Sequence, residues 1–179
     1  SEAFEIFERT NARGKPLEVS DLLKNYLFSK DKELLTESME EAWDNISSDA
    51  GNNIIRVLKY FWISRRGHVV NRDLYRNLRT YASEMEVGDF VSELKEFSSY
   101  YRAFYAAESK HLDAWLSDRG ISSNSMHLSE ISRSCNAIKA FRVTQPIPLM
   151  FSILKAYEKL EETNRSIKKL INIFRSIET

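Results

Sequence analysis

Helix breakers are rare in this chain, and apolar residues recur along it at intervals of three and four. The sequence contains 5 glycines and 3 prolines among 179 residues, so few positions favour a turn. Apolar side chains at this spacing form one face of a helix, whereas a half-buried strand alternates apolar and polar residues. Strict alternation over the length of a strand is hard to find. The pattern therefore predicts an all-α fold, an irregular bundle of about eight to ten helices.

Interruptions in the apolar pattern predict where individual helices begin and end. One helix is expected to end before the polar segment Ser47–Asn53, and the next to end near Gly67. Asn71 is a suitable N-cap for the helix that follows. Gly88 and Asp89 interrupt the apolar stripe of that helix. Helices of this length with short connections are expected to pack as a bundle.

The clearest link in the sequence is the segment GISSNSM at residues 120–126. It separates a helical region at residues 31–120 from a C-terminal helical region at residues 121–179. Within the second region, Pro146 and Pro148 end one helix and set the start of another. The sequence leaves open whether the two regions form one bundle or two small lobes.

Composition narrows the classes of protein that this chain can belong to. It is 42% hydrophobic with zero net charge and a single cysteine, Cys135. One cysteine excludes an internal disulfide framework and suits a reducing cytoplasm, where we expect the protein. No apolar run approaches the roughly 20 residues of a membrane span, so we expect no membrane partner. Any contact with nucleic acid would need a local basic patch.

Residues 4–28, FEIFERTNARGKPLEVSDLLKNYLF, predict two helices joined by a turn. Phe7 lies on the apolar face of the first helix, and Gly14 follows its last periodic position, where a left-handed residue can end a helix. Pro16 forbids a continuous helix. Asp21 then places negative charge in the first turn of the second helix, where the helix dipole favours it.

The pattern F-x-x-x-N-x-R-G-x-x-L followed by D-L-L-K-N-Y-L-F resembles the end of the conserved N-terminal domain of GmrSD-type restriction and anti-phage proteins. The matching positions are Phe7, Asn11, Arg13, Gly14, Leu17, Asp21, Leu22, Lys24 and Asn25. In that family a ParB-like nucleotide-dependent domain precedes a long helical region, and an HNH-type nuclease domain commonly follows. The resemblance implies that residues 1–30 are the C-terminal end of the ParB-like domain.

The same resemblance implies a non-catalytic role for this part of the parent protein. The family's D-G-Q-Q-R motif, which carries nucleotide chemistry, and the H-N-H nuclease pattern do not occur in these residues. We therefore expect a piece of a longer chain that binds no cofactor itself, while its parent uses a nucleotide and a divalent metal. The expected partners are the flanking domains and duplex DNA. Arg13 and Lys24 would offer positive charge to phosphate, or would simply be exposed residues of a turn and a helix.

Charge is distributed unevenly along the chain. Between Asn52 and Thr80 there are seven basic residues and one acid, whereas residues 30–49 carry seven acids and two bases. The candidate DNA-binding residues are Arg65, Arg66, Arg72, Arg76 and Arg79. Arginines spaced in this way can contact successive phosphates. The alternative is that they pair with the acidic segment before them, because arginine suits such helix-to-helix contacts equally well.

An aromatic stripe runs through residues 97–105. Phe97, Tyr100, Tyr101, Phe104 and Tyr105 follow the three-and-four spacing of one helical face. Aromatic side chains beside basic residues can stack on nucleic-acid bases. The spacing is typical of a buried face, so we predict that this stripe packs in the core.

No combination of residues predicts catalysis or a metal site. The three histidines are isolated in sequence, with no partner at the spacing of metal ligands. We therefore predict no catalytic residues and no metal ligands in this chain. A rival to the DNA-contacting connector is a helical protein-interaction or dimerisation module without affinity for DNA, and the oligomeric state is left open.

Overall fold

The computed structural model describes residues 18–30, 36–106, 109–140, 146–160 and 166–178. These residues form α-helices without a β-strand among them, so the predicted all-α bundle is confirmed. The helices are α1 Val19–Lys30, α2 Thr36–Ala50, α3 Ile54–Arg66, α4 Asn71–Ser83, α5 Val87–Tyr100, α6 Ser109–Ser117, α7 Ser125–Ala140, α8 Pro146–Glu158 and α9 Ile167–Glu178. A 3-10 turn at Gly51–Asn53 precedes α3, and a π-helical segment at Tyr101–Ala106 extends α5. No helix in the described ranges is long and apolar enough to cross a membrane.

Four lengthwise helix pairings organise the bundle. α1 packs along α4, α2 along α5, α3 along α8 and α7 along α9. Each helix contributes an apolar stripe, as Leu74, Leu78 and Ala82 do on α4. Removing such side chains from water is the main force that holds helices of this length together, because short helices are marginal on their own.

Aromatic side chains form the centre of the core and join its two ends. The ring of Phe97 lies 4.6 Å from the ring of Phe151 on α8, and Phe104 stacks on Phe174 of α9 with 5.1 Å between ring centroids. The predicted burial of the aromatic stripe is confirmed for four residues, since Phe97, Tyr100, Tyr101 and Phe104 are each at most 2% exposed, whereas Tyr105 is half-buried. Described residues on both sides of residue 120 thus share one core, while the division into units at 30 and 120 stays a prediction.

The segment predicted as a link after Gly120 is a short turn with defined caps. Gly120 takes the left-handed conformation with φ +66°, and the amide of Ile121 donates to the carbonyl of Leu116 at 2.9 Å. This is the Schellman arrangement that ends helices at glycine. Ile121 is buried, and the Asn124 side chain then accepts from the amide of His127 and caps α7.

Three predicted boundaries differ from the structure. α2 runs through the polar segment to Ala50, and the break is the 3-10 turn at Gly51–Asn53. Asn71 is not the N-cap of α4; Val70 holds that position, and the Asn71 side chain instead accepts a hydrogen bond from Lys59 Nζ at 3.0 Å. Gly88 and Asp89 lie inside the first turn of α5. An acid in a first turn is favoured by the helix dipole, so Asp89 helps to begin α5 where we had expected an interruption.

Candidate nucleic-acid interface

The residues of the family pattern fall partly within the described chain. Asp21, Lys24 and Asn25 lie on α1, whereas Phe7, Asn11, Arg13, Gly14 and Leu17 lie outside the described residues. Asp21 accepts a hydrogen bond from the amide of Glu18 at 3.4 Å, in the first turn where its charge is favoured. Lys24 lies with its ammonium 5.4 Å from the centre of the Phe28 ring. Leu23 and Leu27 point into the core and fix the face that α1 turns outward.

The five candidate arginines divide into two groups. Arg65 and Arg66, which we call the α3 arginine pair, end α3 and contact other side chains. Arg65 is 16% exposed, lies 3.5 Å from Glu93 and stands over the Phe61 ring. Arg66 lies 2.7 Å from Glu84 and 5.0 Å from the centre of the Tyr81 ring. Their acidic partners follow them in sequence, so pairing with residues 30–49 is wrong for these two.

Arg72, Arg76 and Arg79, which we call the α4 arginines, lie on one side of α4. The Arg72 and Arg76 side chains are 85% and 71% exposed and share one acid, Asp73, at 3.7 and 2.8 Å. The Arg79 guanidinium lies 5.2 Å from the centre of the Tyr26 ring on α1. Within the described residues no carboxylate lies within ion-pair distance of Arg79. This group therefore carries more positive charge than its neighbours neutralise.

A cleft of about 540 Å³ separates the last turns of α1 and α4. We call it the α1–α4 cleft. Its lining comprises Tyr26, Lys30, Tyr75, Arg76, Arg79, Thr80 and Ser83. Three of these side chains are cations, two are aromatic, and none is acidic. Cations beside aromatic rings are the combination that proteins use to hold phosphate and to stack on bases.

Contacts with an aromatic ring hold two cations of the α1–α4 cleft, Lys30 and Arg79, in place without neutralising them. Lys30 Nζ lies 5.9 Å from the centre of the Tyr26 ring, so Tyr26 has one cation from α1 and one from α4 close to its ring. Burial raises the pKa of Tyr75, although nearby Arg79 opposes that rise. The Tyr75 hydroxyl therefore stays protonated at neutral pH and can donate a hydrogen bond. The site can bind an anion through charge and through a neutral donor.

Sequence reasoning missed the α1 side of this cleft. Tyr26 lies within the family pattern but is not one of its matching positions, and Lys30 falls in the acidic segment at residues 30–49. Arg79 and Tyr26 are far apart in the chain, and only the packing of α1 along α4 brings them together. The one feature of the sequence that pointed to this cleft was the basic charge of α4.

Among the residues that the structure describes, the acidic segment at residues 30–49 forms its ion pair with Arg102 and not with the candidate arginines. Asp49, at the end of α2, accepts from Ser98 at 2.9 Å and from Arg102 at 3.0 Å. Arg102, the cation within the aromatic stripe, is thus paired. These bonds tie α2 to α5 and to the π-helical segment. In the described part of the chain, Asp49 is the one acid of residues 30–49 that forms an ion pair.

A partly buried polar network joins α5, α8 and the turn after α6. Both the Tyr100 hydroxyl and the Arg119 guanidinium donate to the Glu158 carboxylate, and Arg119 also lies 4.1 Å from the centre of the Trp115 ring. Burial raises the pKa of Tyr100, and its bond to Glu158 adds to the rise. A tyrosine held protonated in this way is a structural donor and a poor acid or base catalyst. Among the described residues, no group of three or more acids, histidines or cysteines could hold a metal ion.

No protein-family model, no curated protein and no solved structure matches the chain significantly. The resemblance of residues 4–28 to GmrSD-type proteins therefore stays a prediction. What the chain does has to be inferred from its surfaces.

Proposed function

We propose that this chain is a non-catalytic helical connector of a GmrSD-like restriction protein and that its α1–α4 cleft contacts the backbone of duplex DNA. In the parent, it would link a nucleotide-dependent sensor domain to a nuclease domain. The sequence pattern supports the family, and the shared core supports a stiff connector because helices of both regions pack on the same aromatic centre. The nucleotide and the metal belong to the parent's other domains in this proposal.

The observation that carries the DNA contact is the charge around the α1–α4 cleft. Arg72, Arg76 and Arg79 span eight residues of α4, which is about 10 Å along a helix, and Lys30 extends the row from α1. Duplex DNA carries one negative charge per roughly 1.7 Å of its axis, so the row can face several phosphates at once. Side chains on a helix surface that contact phosphate fix position and carry no sequence preference by themselves.

A fluorescence-anisotropy titration of the chain with a 20-base-pair duplex at several salt concentrations tests this function. With four cations in contact with phosphates, the logarithm of the association constant should fall against the logarithm of salt with a slope of about −3.6. Duplexes of unrelated sequence should bind equally well. Absence of binding at low salt, or binding that does not respond to salt, would contradict the proposal.

A second candidate function rests on an apolar groove between α8 and α9. The groove is about 800 Å³ in volume and includes Leu149, Ile153, Leu160 and Ile173. Leu149 and Leu160, which line this one groove, are 56% and 39% exposed, which is unusual for large apolar residues. A helical docking module would use this groove and would need no affinity for DNA.

Light scattering after size-exclusion chromatography separates the two candidates. The docking module predicts a dimer whose mass does not change with salt and which Leu149→Glu dissociates. The connector predicts a monomer in the absence of DNA. A salt-resistant dimer that binds no DNA would favour the docking module.

A further inference from the structure

A second cleft, separate from the α1–α4 cleft, lies along α3 and beside the start of α4. It has a volume of about 840 Å³. Glu18, just before α1, and Asn71, at the start of α4, both line it, whereas Lys30 and Ser83 line the α1–α4 cleft. The two clefts therefore lie at opposite ends of the packed pair of α1 and α4. We call the second one the α3 cleft, and its volume is within the range of about 300 to 1,000 Å³ typical of small-molecule sites.

Arg56 is the most informative side chain of the α3 cleft. It is exposed, and within the described residues no carboxylate lies within ion-pair distance of it. Its guanidinium lies within electrostatic reach of the hydroxyl groups of Tyr60, Tyr101 and Tyr105. The first two of these tyrosines are at most 5% exposed, and the Tyr60 and Tyr105 rings meet edge to face at 6.1 Å. The Arg56 guanidinium therefore lies beside uncharged tyrosine side chains and is accessible to an anionic ligand.

Lys59 adds a second cation one turn further along α3. Its ammonium donates to the Asn71 side chain at 3.0 Å, which holds it at the cleft and leaves further N–H donors free for a ligand. Lys59 and Arg56 are three residues apart and so lie on the same side of α3. Two cations that line one cleft favour a doubly charged group such as a phosphomonoester.

The rest of the α3 cleft combines amide groups with an apolar floor. Asn53 precedes α3 without forming a side-chain cap, and its amide is exposed at the cleft. Amides can both donate to and accept from the edges of a planar heterocycle. Ile63 and Pro148 supply apolar surface on which such a ring can lie. Glu18 is the one acid of the lining, and it can accept from a sugar hydroxyl.

We propose that the α3 cleft binds a small phosphomonoester of nucleotide size, with Arg56 and Lys59 on the phosphate and the ring or sugar against Ile63 and Pro148. This site is distinct from the one that contacts DNA in the proposed function. The proposal involves binding only, and no covalent step.

Isothermal titration calorimetry of the 179-residue chain with AMP, UMP and ribose 5-phosphate tests the proposal. At least one of them should bind saturably, and adenosine, which lacks the phosphate, should bind about tenfold more weakly or not at all. Arg56→Gln should weaken binding by about tenfold or more, and Lys59→Gln should do so independently. Arg72→Gln removes the same charge outside the cleft and should leave the affinity within about twofold of the original.

Two results would overturn the proposal: absence of saturable binding for all three phosphates, or equal affinity in the original protein and Arg56→Gln. The DNA contact is tested separately by the same set of proteins. Arg56→Gln should keep its affinity for duplex DNA, and a protein reversed at Arg76 and Arg79 should keep its affinity for the phosphomonoester. Failure of one site therefore does not imply failure of the other.

Discussion

The α3 arginine pair and the α4 arginines are separated by five residues of sequence, yet they lie in opposite surroundings. Arg65 and Arg66 each meet a carboxylate and an aromatic ring. Of the α4 arginines, Arg72 and Arg76 share one acid, and Arg76 and Arg79 line an open cleft. The same residue type thus stabilises the fold in one place and leaves charge for a ligand in the other. The difference comes from which helix lies opposite, a property of the tertiary structure.

The largest expected effect on DNA affinity comes from reversing charge at the α1–α4 cleft. Arg76→Glu combined with Arg79→Glu should weaken binding of duplex DNA by about 100-fold at low salt, because two phosphate contacts become repulsive. The slope against the logarithm of salt should become shallower by about 2. Anisotropy titrations measure both quantities.

The matched control for that protein combines Lys168→Glu with Lys169→Glu, which makes the same change in charge on α9, where both lysines are exposed. It should bind DNA within about threefold of the original protein, because long-range charge effects are largely screened. Equal losses in the control and the double reversal would mean that net charge, and not the cleft, governs binding.

A second prediction concerns pH and the tyrosines of the interior. Burial raises the pKa of Tyr60 to about 12, whereas an unfolded chain titrates near 10. The stability from protonated Tyr60 is complete below about pH 10 and is lost as pH rises toward about 12, by at most about 1.4 kcal/mol per pH unit. Urea unfolding at pH 9 and pH 11 should show the fall, and Tyr60→Phe should reduce it. An equal fall in stability in the original protein and in Tyr60→Phe would mean that a group other than Tyr60 titrates.

The α3 arginine pair should affect stability more than it affects binding. Arg65→Ala is expected to lower the free energy of unfolding by about 1 kcal/mol, through lost packing on Phe61 and a lost pair with Glu93. Urea unfolding measures this, and Arg72→Ala, at an exposed position, should cost less than about 0.5 kcal/mol. Affinity for DNA should be unchanged in Arg65→Ala. A tenfold loss of DNA affinity in Arg65→Ala would contradict the distinction between the α3 arginine pair and the α4 arginines.

The smallest expected effect is that of one exposed arginine. Arg72→Gln should weaken DNA binding by about threefold, uniformly across duplex sequences, and should reduce the salt slope by about 1. The measurement needs at least two duplexes of unrelated sequence. A loss confined to one sequence would indicate a base contact by Arg72 in place of a phosphate contact.

Local signals in the sequence predicted much of the fold. The burial of Phe97 and Phe104 and the stop at Gly67 needed only helix periodicity and glycine geometry, and both are confirmed. The prediction for Asn71 was wrong because a cap competes with other partners, and Lys59 is one of them. Gly88 was misread because a glycine near the start of a helix costs less than one in its interior.

The candidate site was harder to predict than the fold, because it depends on helix pairing. Charge counting found the α4 arginines but could not separate them from Arg65 and Arg66, whose partners come from later helices. It also passed over Tyr26 and Lys30, which reach the cleft only through the packing of α1 along α4. Arg56 was counted as basic charge, but its isolation from carboxylates in the described residues is visible only in three dimensions.

Mapping the DNA contact by nitrogen-15 chemical-shift perturbation tests the central claim most directly. A 20-base-pair duplex would be titrated into the labelled chain at low salt, and the shifts assigned along the helices. The account predicts that the largest changes fall on α4 around Arg76 and Arg79 and on the last turn of α1, with Arg65 and Arg66 little affected. Changes centred on α8 and α9, or no changes at all, would contradict it.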